Sequence, residues 1–371
     1  MSVQKIATKA GTHYRARVKS HGQEVAARTF ERRADAVAWE QDQSRMLRHG
    51  EWIDPRRGKV TLAVVAEGWF LTRGGVKRRT RETDMLTWTN YIAPRFAKRV
   101  LVSITSAQIS EWAAELVTAG KSPATAKRAL STLRSILDHA VADERVVRNA
   151  AATAKVPIGR ASREGQALTE QEVFDLAEAC RGPYGELVVV LAYTGLRWGE
   201  LAGLQVGDRI AVPGDGLRVQ RAVLAGGGAG ELFVDALKSY RSRTVPLAGP
   251  AAAIVAEWGR DRHPHEWLFA TSTGTALREG NWKRQVRWSA AKETIGRPTI
   301  RVHDLRHTAA SIWLGSGADP KVVQRVLGHA SATMTMDLYG HLIDTNLWDS
   351  AKRVGGVSGA FSSTKETEHH A

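Results

Sequence analysis

The stretch VHDLRHTAAS, residues 302–311, places two histidines and an arginine around a single aspartate. We expect a helix here, and on a helix residues three and four apart share a face. His303 and His307 could then bind a metal ion together, whereas His303 and Arg306 could together bind an anion. The two hypotheses predict different chemistry, and the rest of the chain decides between them.

The metal hypothesis lacks further ligands. The sequence contains no HExxH motif, no CxxC motif and no cluster of carboxylates that could complete a site around His303 and His307. The HPH segment at 263–265 follows Asp261 in an expected loop. We therefore expect no metal cofactor, and because the sequence has no Walker-type glycine loop we expect no requirement for ATP. The anion hypothesis remains, with Arg306 as the group that binds a phosphate.

The basic charge of the chain is unevenly distributed. The 371 residues carry a formal net charge of +15, with a pI of about 10.2. Residues 1–59 contain 13 Lys and Arg against 7 Asp and Glu, residues 60–155 contain 15 against 8, and the remainder is nearly balanced. This distribution predicts an anionic polymer or surface as partner, bound mainly by the N-terminal part of the chain.

Other features of the sequence indicate the compartment. We find no apolar run of about eighteen residues, so we expect no transmembrane helix and no membrane partner. The N-terminus, MSVQKIATKAGTHYRARVKS, lacks the apolar segment of a secretory signal. The single cysteine, Cys180, fits a reducing environment. We expect a soluble cytoplasmic protein.

The N-terminal region has the pattern of a small sheet. Residues 11–30 alternate apolar and polar side chains as strands do, with a turn at His21-Gly22. A helical pattern follows and ends at Gly50. We expect a sheet with one helix in residues 1–55, and a row of Arg and Lys on one face of that sheet.

Residues 60–148 have a helical pattern throughout. Ser122 followed by Pro123 is typical of a helix start, and apolar residues then recur every three or four positions. The small residues of 149–165 are expected to join this helical domain to the next one.

From residue 166 helices and strands alternate. Thr169 and Glu172 form a predicted capping box at the start of a helix. We expect LRVQRAVL, ELFVDALK and RTVPL to be strands, with SYRS as a hairpin turn between the last two. Later helices are expected at 249–259, 279–292, 303–314, 320–327 and 332–338. The polar residues 351–371 are expected to form a C-terminal tail.

Four short motifs follow one another in this last region. They are YTGLRWGEL at 193–201, ALKSYRSRTVPL at 236–247, HDLRH at 303–307 and LGHASATMTMDLYGH at 327–341. In this order and spacing they resemble the tyrosine recombinase family, the site-specific DNA integrases of phages and mobile elements. A single one of these motifs would carry little information, but the four together are specific.

The resemblance implies a nucleophile and a phosphate clamp. Strand exchange that conserves the energy of a phosphodiester needs a covalent intermediate, and the family's nucleophile matches Tyr339. Arg197 and Arg306 match its two phosphate-binding arginines, whose planar forks donate to two oxygens at once. Tyr193 and Tyr240 are alternative nucleophiles, although Tyr193 lies in an apolar run.

The resemblance also implies groups that move protons. His303 and His329 match the family's two histidine positions, which bind the phosphate or exchange a proton with the tyrosine. Lys238 matches its general acid, which protonates the departing 5′ oxygen, although Arg241 and Arg243 lie close by in the sequence. Glu200, three residues after the first clamp arginine, could orient that arginine.

The implied fold is a multidomain one. It has a small N-terminal β-sheet plus helix domain at 1–55 that resembles arm-type DNA-binding modules, and an all-α core-binding domain at 60–148. A mainly α catalytic domain with a small antiparallel sheet, an α+β tyrosine recombinase-like fold, follows at 166–350. The basic residues that we expect to bind DNA are Arg15, Arg17, Lys19, Lys77, Arg78, Arg79, Arg81, Lys127, Arg128 and Arg134.

The implied function is that of an integrase in a bacterial cell. It would cut and rejoin DNA strands through a 3′-phosphotyrosyl intermediate, integrating phage or mobile-element DNA and, with a directionality factor, excising it. The implied partners are double-stranded DNA with core and arm sites, a homotetramer on DNA, a host DNA-bending factor and an excisionase. One alternative is a type IB topoisomerase-like relaxase, although relaxation needs no second DNA site. The other is a non-catalytic DNA-binding protein descended from a recombinase, although all six catalytic positions carry compatible residues.

Overall fold

A computed structural model of the chain describes residues 2–8, 11–20, 22–48, 52, 54, 56–157, 165–226, 231–236 and 242–328. The chain divides into two compact units, Met1–Ala161 and Ser162–Ala371, which are described separately. None of the helices in the described ranges is both long and apolar enough to cross a membrane.

The first unit begins with an antiparallel sheet of three strands in the order β1-β2-β3. The strands are β1 Val3–Thr8, β2 Gly11–Ser20 and β3 Gln23–Phe30, and helix α1, Arg33–Arg48, packs against β2. Ala16 and Val18 on one face of β2 are buried, as the alternating pattern predicts. The predicted sheet with one helix is therefore confirmed.

The rest of the first unit is helical. The helices are α2 Leu62–Leu71, α3 Arg78–Thr87, α4 Ala93–Phe96, α5 Ser106–Thr118 and α6 Pro123–Ala142. The Ser122 hydroxyl accepts a hydrogen bond from the Thr125 N–H and caps α6, which confirms the predicted helix start. The apolar stripe of α6 packs into a core that includes Trp69, Phe96 and Trp112.

The second unit is built around one buried helix. Its first helices are α7 Glu170–Ala179, α8 Glu186–Thr194 and α9 Trp198–Ala202. Every side chain of α8 from 187 to 194 is buried, and α7 packs against it. The capping box of Thr169 and Glu172 is present at the start of α7, as predicted.

The described residues of the second unit form two small antiparallel sheets. The first has strands β4 Arg209–Ile210, β5 Gly216–Val219 and β8 Arg243–Pro246 in the order β4-β5-β8, and the second pairs β6 Arg221–Ala225 with β7 Leu232–Ala236.

Two of the strand predictions are corrected. LRVQRAVL is not one strand, because Gln220 and Arg221 both donate to the buried Asp208 carboxylate, and the chain changes sheet there. β8 pairs with β5 and not with β7, so the predicted hairpin across SYRS is wrong.

Further helices follow in the described part of the second unit, up to residue 328. They are α10 Pro250–Trp258, α11 Glu279–Gln285, α12 Trp288–Thr294, α13 Asp304–Gly315 and α14 Pro320–Leu327. The single helix expected at 279–292 is broken at Arg287, which has a left-handed φ of 53°. The break lets Trp282 and Trp288 pack with 5.3 Å between their ring centroids. Of the other expected helices three are confirmed, and the one at 332–338 lies outside the described residues.

Candidate active site

Three of the six predicted catalytic residues lie in the described part of the chain, all in the second unit. Arg197 immediately precedes α9, His303 immediately precedes α13, and Arg306 lies in the first turn of α13. Lys238, His329 and Tyr339 lie outside the described residues, as does the alternative nucleophile Tyr240.

A tight turn between α8 and α9 positions Arg197. Gly195 ends α8 with a left-handed φ of 64°, and its N–H donates to the Leu191 carbonyl. A Cβ atom on Gly195 would lie 2.3 Å from Cδ2 of Leu327, at the end of α14. Only glycine fits this position, because the backbone is left-handed and the space is already filled. The turn therefore packs against the end of α14 two residues before Arg197.

Glu200 holds both the backbone and the side chain of Arg197. The Arg197 N–H donates to Oε2 of Glu200 at 2.9 Å, and its Nη1 donates to Oε1 at 2.9 Å. The Glu200 side chain is buried, whereas that of Arg197 is 43% exposed. The expected orienting contact is present, and it leaves the guanidinium at the surface, where a phosphate can approach.

A second arginine, Arg243 on β8, also binds Glu200. Its Nη1 and Nη2 donate to the two carboxylate oxygens at 3.1 and 2.7 Å. Burial alone would raise the pKa of Glu200, but hydrogen bonds and positive charge from Arg243, together with Arg197, outweigh burial and lower that pKa to about 2. Glu200 is thus a carboxylate at every working pH. The sequence indicated Arg243 only as a basic residue near Lys238.

Arg306 is a buried cation that links two helix ends. Its side chain is 4% exposed, although arginine is rarely buried without partners. Nη1 donates to the Gly195 carbonyl at 2.7 Å, and Nη2 donates to the Leu327 carbonyl at 2.6 Å. Arg306 therefore ties the turn before Arg197 to the last residue of α14.

His303 lies within the field of both clamp arginines. Burial lowers the pKa of His303, and the charges of Arg306 and Arg197 lower it further, against an opposing effect of Asp304. The imidazole is therefore neutral at neutral pH and can accept a proton. His303 and Arg306 from the HDLRH motif and Arg197 from the YTGLRWGEL motif are catalytic candidates that the fold brings together.

His307 faces His303, with 5.7 Å between the ring centroids. Burial lowers the pKa of His307, and His303 lowers it further. Both carboxylate oxygens of Asp304 accept hydrogen bonds from Arg301, so this carboxylate is engaged in an ion pair and is not available to bind a metal ion with the two histidines. Within the described ranges, no group of three or more His, Cys, Asp or Glu residues is placed to hold a metal ion.

Tyr193, the described alternative nucleophile, lies in the core. It is 5% exposed, and its hydroxyl donates to Oε2 of Glu170 at 2.7 Å. Burial and the carboxylate of Glu170 raise the pKa of Tyr193 to about 12. A hydroxyl held in this way is a poor nucleophile for DNA.

The basic residues expected to bind DNA differ in their surroundings. Arg15 and Arg17 on β2 lie 3.3 and 3.5 Å from the Glu24 carboxylate, which offsets part of the positive charge on that strand. The basic residues exposed to solvent are Lys19, Arg78, Arg79, Arg81, Lys127 and Arg128, and Lys77 is half-buried.

Arg134 is the member of that set with a structural role. Its Nε donates to the Ala151 carbonyl at 3.1 Å and its Nη2 donates to the Ala154 carbonyl at 3.1 Å. These contacts hold the segment after α6 against the helical core, so the guanidinium is turned toward the protein backbone. The sequence pattern, which placed Arg134 off the apolar stripe, gave no sign of these carbonyl partners.

Comparisons with known proteins place the chain in a family. The model of the phage integrase family matches residues 166–345, and that of the phage integrase central domain matches residues 62–156. The integrase of Mycobacterium phage D29 is 31% identical over 327 residues, which cover 83% of this chain and 84% of that protein. A putative prophage phiRv2 integrase of Mycobacterium tuberculosis is 30% identical over 318 residues, which cover 83% of each.

Solved structures share the fold. A Tn1549 transposon integrase in complex with a circular intermediate DNA has a TM-score of 0.62 at 21% identity, covering 75% of this chain and 94% of that one. A lambda integrase tetramer bound to a Holliday junction has a TM-score of 0.56 at 19% identity, covering 89% of this chain and 96% of that one.

Proposed function

Because the chain belongs to the phage integrase family of site-specific tyrosine recombinases, we propose that it integrates phage or mobile-element DNA through a 3′-phosphotyrosyl intermediate. The observation that carries this proposal is the convergence of Arg197, His303 and Arg306: Arg306 joins the end of α8 to the end of α14, and His303 lies within the field of both arginines. Two fixed cations and a neutral imidazole are the donors and acceptor that an attacked phosphodiester needs.

The cleavage step assigns a role to each residue. The Tyr339 hydroxyl attacks phosphorus and forms an O–P bond, while the bond from phosphorus to the 5′ oxygen breaks. The tyrosine proton passes to a neighbouring base, for which His303 is suited by its neutral state. Lys238 gives a proton to the departing 5′ oxygen. Rejoining reverses these transfers with a new 5′ hydroxyl, so the reaction consumes no ATP. Because Arg197 and Arg306 supply positive charge to the phosphate, we propose that it requires no metal ion.

Arg197 and Arg306 stabilise the phosphate as its negative charge grows. Arg306 is fixed by two carbonyls and Arg197 by one carboxylate, so both are oriented before DNA arrives. Preorganised donors are worth most because they need not reorganise during the reaction. The loss of one such donor is expected to slow cleavage on the order of 100-fold or more.

The proposed substrate is double-stranded DNA with core and arm sites. The excess of basic residues in the first 155 positions supports DNA contacts by the sheet and helical modules. We propose that His329 completes the phosphate site. The solved lambda integrase is a tetramer on a Holliday junction, and we propose a tetramer on DNA for this chain too. A host DNA-bending factor and an excisionase are the proposed accessory partners, in a bacterial cytoplasm.

A covalent-trapping experiment tests the proposal. The full-length protein is incubated in EDTA with nicked duplexes that carry candidate core sequences from the DNA flanking its gene, and adducts are resolved on a denaturing gel. The expected result is an adduct that Tyr339→Phe abolishes and Tyr193→Phe retains. An intact protein that forms no adduct on DNA it demonstrably recombines would refute the mechanism. An adduct that persists in Tyr339→Phe would identify a different nucleophile.

A further inference from the structure

We propose that Arg243 is a positioning residue for strand cleavage: by binding Glu200 and the end of α14, it keeps Arg197 available to the phosphate. The inference rests on the proposed function and assigns a role to a residue outside the six predicted catalytic positions. Arg243 contacts neither Arg197 nor the phosphate in this assignment and acts through Glu200.

The contacts of Arg243 reach both sides of the site. Its side chain is 13% exposed, and its two terminal nitrogens bind the two oxygens of Glu200. The third donor, Nε, binds the Val326 carbonyl at 2.9 Å, one residue before the carbonyl that Arg306 binds. Arg243 and Arg306 therefore hold two consecutive carbonyls at the end of α14.

Gly328 fits against the Arg243 side chain. This glycine ends α14 with a left-handed φ of 67°, and a Cβ atom there would lie 3.0 Å from Cδ of Arg243. The position of Arg243 thus limits the path of the chain just before His329, one of the predicted catalytic residues.

A lysine at 243 has one nitrogen and cannot bind both Glu200 oxygens and the Val326 carbonyl.

Charge explains why a second arginine is needed. Glu200 lies between Arg197 and Arg243, and the three groups together carry one net positive charge. Without Arg243 the carboxylate and Arg197 would neutralise each other, and the carboxylate would be free to bind both arms of Arg197. The phosphate would then meet a weaker and differently oriented donor, because a bidentate pair is the preferred geometry for arginine and carboxylate.

Single-turnover cleavage of a nicked core duplex tests this role in the full-length protein at saturating DNA. We expect Arg243→Met to slow cleavage on the order of 100-fold, with little change in the DNA affinity. Adding Glu200→Gln to Arg243→Met should raise the cleavage rate roughly tenfold above that of Arg243→Met alone, because the uncompensated carboxylate is then removed. Glu200→Gln in the wild-type background should not accelerate cleavage.

Arg221 offers a matched control. It also binds a buried carboxylate, Asp208, in the same unit but outside the candidate site. Arg221→Met should lower stability, whereas its cleavage rate per folded molecule should stay within about twofold of wild type, because an ion pair outside the phosphate site does not contact the reacting groups. Circular dichroism at the assay temperature establishes the folded fraction for each variant. If Arg243→Met does not fold, Arg243→Lys supplies the comparison, with a slower rate expected and a cooperative melting transition that lies above the assay temperature.

The outcomes separate the two proposals. A wild-type protein that forms no tyrosine adduct refutes the proposed function. A wild-type adduct, combined with normal cleavage by folded Arg243→Met or Arg243→Lys, overturns the role of Arg243 alone. An Arg243→Met rate that Glu200→Gln fails to raise also overturns it, because the effect would then not pass through Glu200.

Discussion

A methyl group added at Gly195 should damage both the stability and the chemistry of the second unit. Gly195 has a φ of 64°, and a Cβ atom there would lie 2.3 Å from Leu327 Cδ2 and 3.2 Å from Ala309 Cβ. Its carbonyl accepts a hydrogen bond from Arg306, and Arg197 follows two residues later. Gly195→Ala therefore strains the point at which both clamp arginines are fixed.

Two costs add at this position. The left-handed backbone costs an alanine about 1–2 kcal/mol, of which the stiffer unfolded chain offsets about 0.4–1 kcal/mol. The overlap with Leu327 adds about 1–3 kcal/mol of overpacking. We expect Gly195→Ala to lower the free energy of unfolding by about 1–5 kcal/mol.

Gly296 provides the matched control, since its φ is 69° and a Cβ atom there meets no other described atom within 4 Å. Gly296→Ala has the backbone cost without the overlap and should lower the free energy of unfolding by about 1 kcal/mol.

Urea unfolding followed by circular dichroism measures the stability, and single-turnover cleavage of a nicked core duplex measures the chemistry. Displacement of the turn that carries Arg197 should slow cleavage by Gly195→Ala on the order of 100-fold, whereas Gly296→Ala should cleave normally. Equal losses of stability in the two variants would refute the reasoning, because the contact with Leu327 would then cost nothing. Normal cleavage by Gly195→Ala would show that the turn does not control the clamp.

Three further predictions concern substitutions at Arg306, at Arg134 with its comparison Arg128, and at His303. Arg306→Lys keeps the charge, but the lysine cannot reach both carbonyls. Urea unfolding should show a loss of about 1–3 kcal/mol in the free energy of unfolding, and cleavage should slow on the order of 100-fold or more. An unchanged stability would contradict the carbonyl contacts. Arg134→Ala should lower stability and leave the salt dependence of DNA binding unchanged. Arg128→Ala should instead leave stability unchanged and reduce the slope of log affinity against log salt concentration by about one. The reverse pattern would make Arg134 a DNA contact. The pKa of His303 is lowered in the folded state, so below about pH 6.5 the unfolded chain binds more protons than the folded chain, and the unfolding free energy falls as the pH falls. His303→Gln should make this fall shallower, and an identical pH dependence in the variant would contradict the lowered pKa.

Local signals in the sequence were sufficient for much of the fold. The caps at Ser122 and Thr169 depend on residues within three positions of one another, and both are present in the structure. The helix that carries Arg306 has a clear periodic pattern and ends within one residue of its predicted end. Interactions of this range can be read from a single sequence because the partners lie on adjacent helical turns.

Long-range contacts account for what the sequence did not predict. The pairing of Arg243 with Glu200 joins residues 43 positions apart, and nothing local distinguishes this arginine from its basic neighbours. The change of sheet at Gln220 depends on the buried carboxylate of Asp208, twelve residues earlier. Arg134 resembled a surface residue because its carbonyl partners lie 17 and 20 positions away. In each case the partner, and not the residue type, determines the role.

The partners of the two clamp arginines determine the charge that a phosphate meets. Arg306 donates to two carbonyls, which are neutral dipoles and fix the direction of its guanidinium. Arg197 is held by a full negative charge, and Arg243 restores the balance on Glu200. Arg197, Glu200 and Arg243 together keep one net positive charge, next to a histidine that burial and the charges of Arg306 and Arg197 keep neutral. A phosphodiester that gains negative charge on attack is stabilised by the first feature, and the proton of the attacking hydroxyl has an acceptor because of the second.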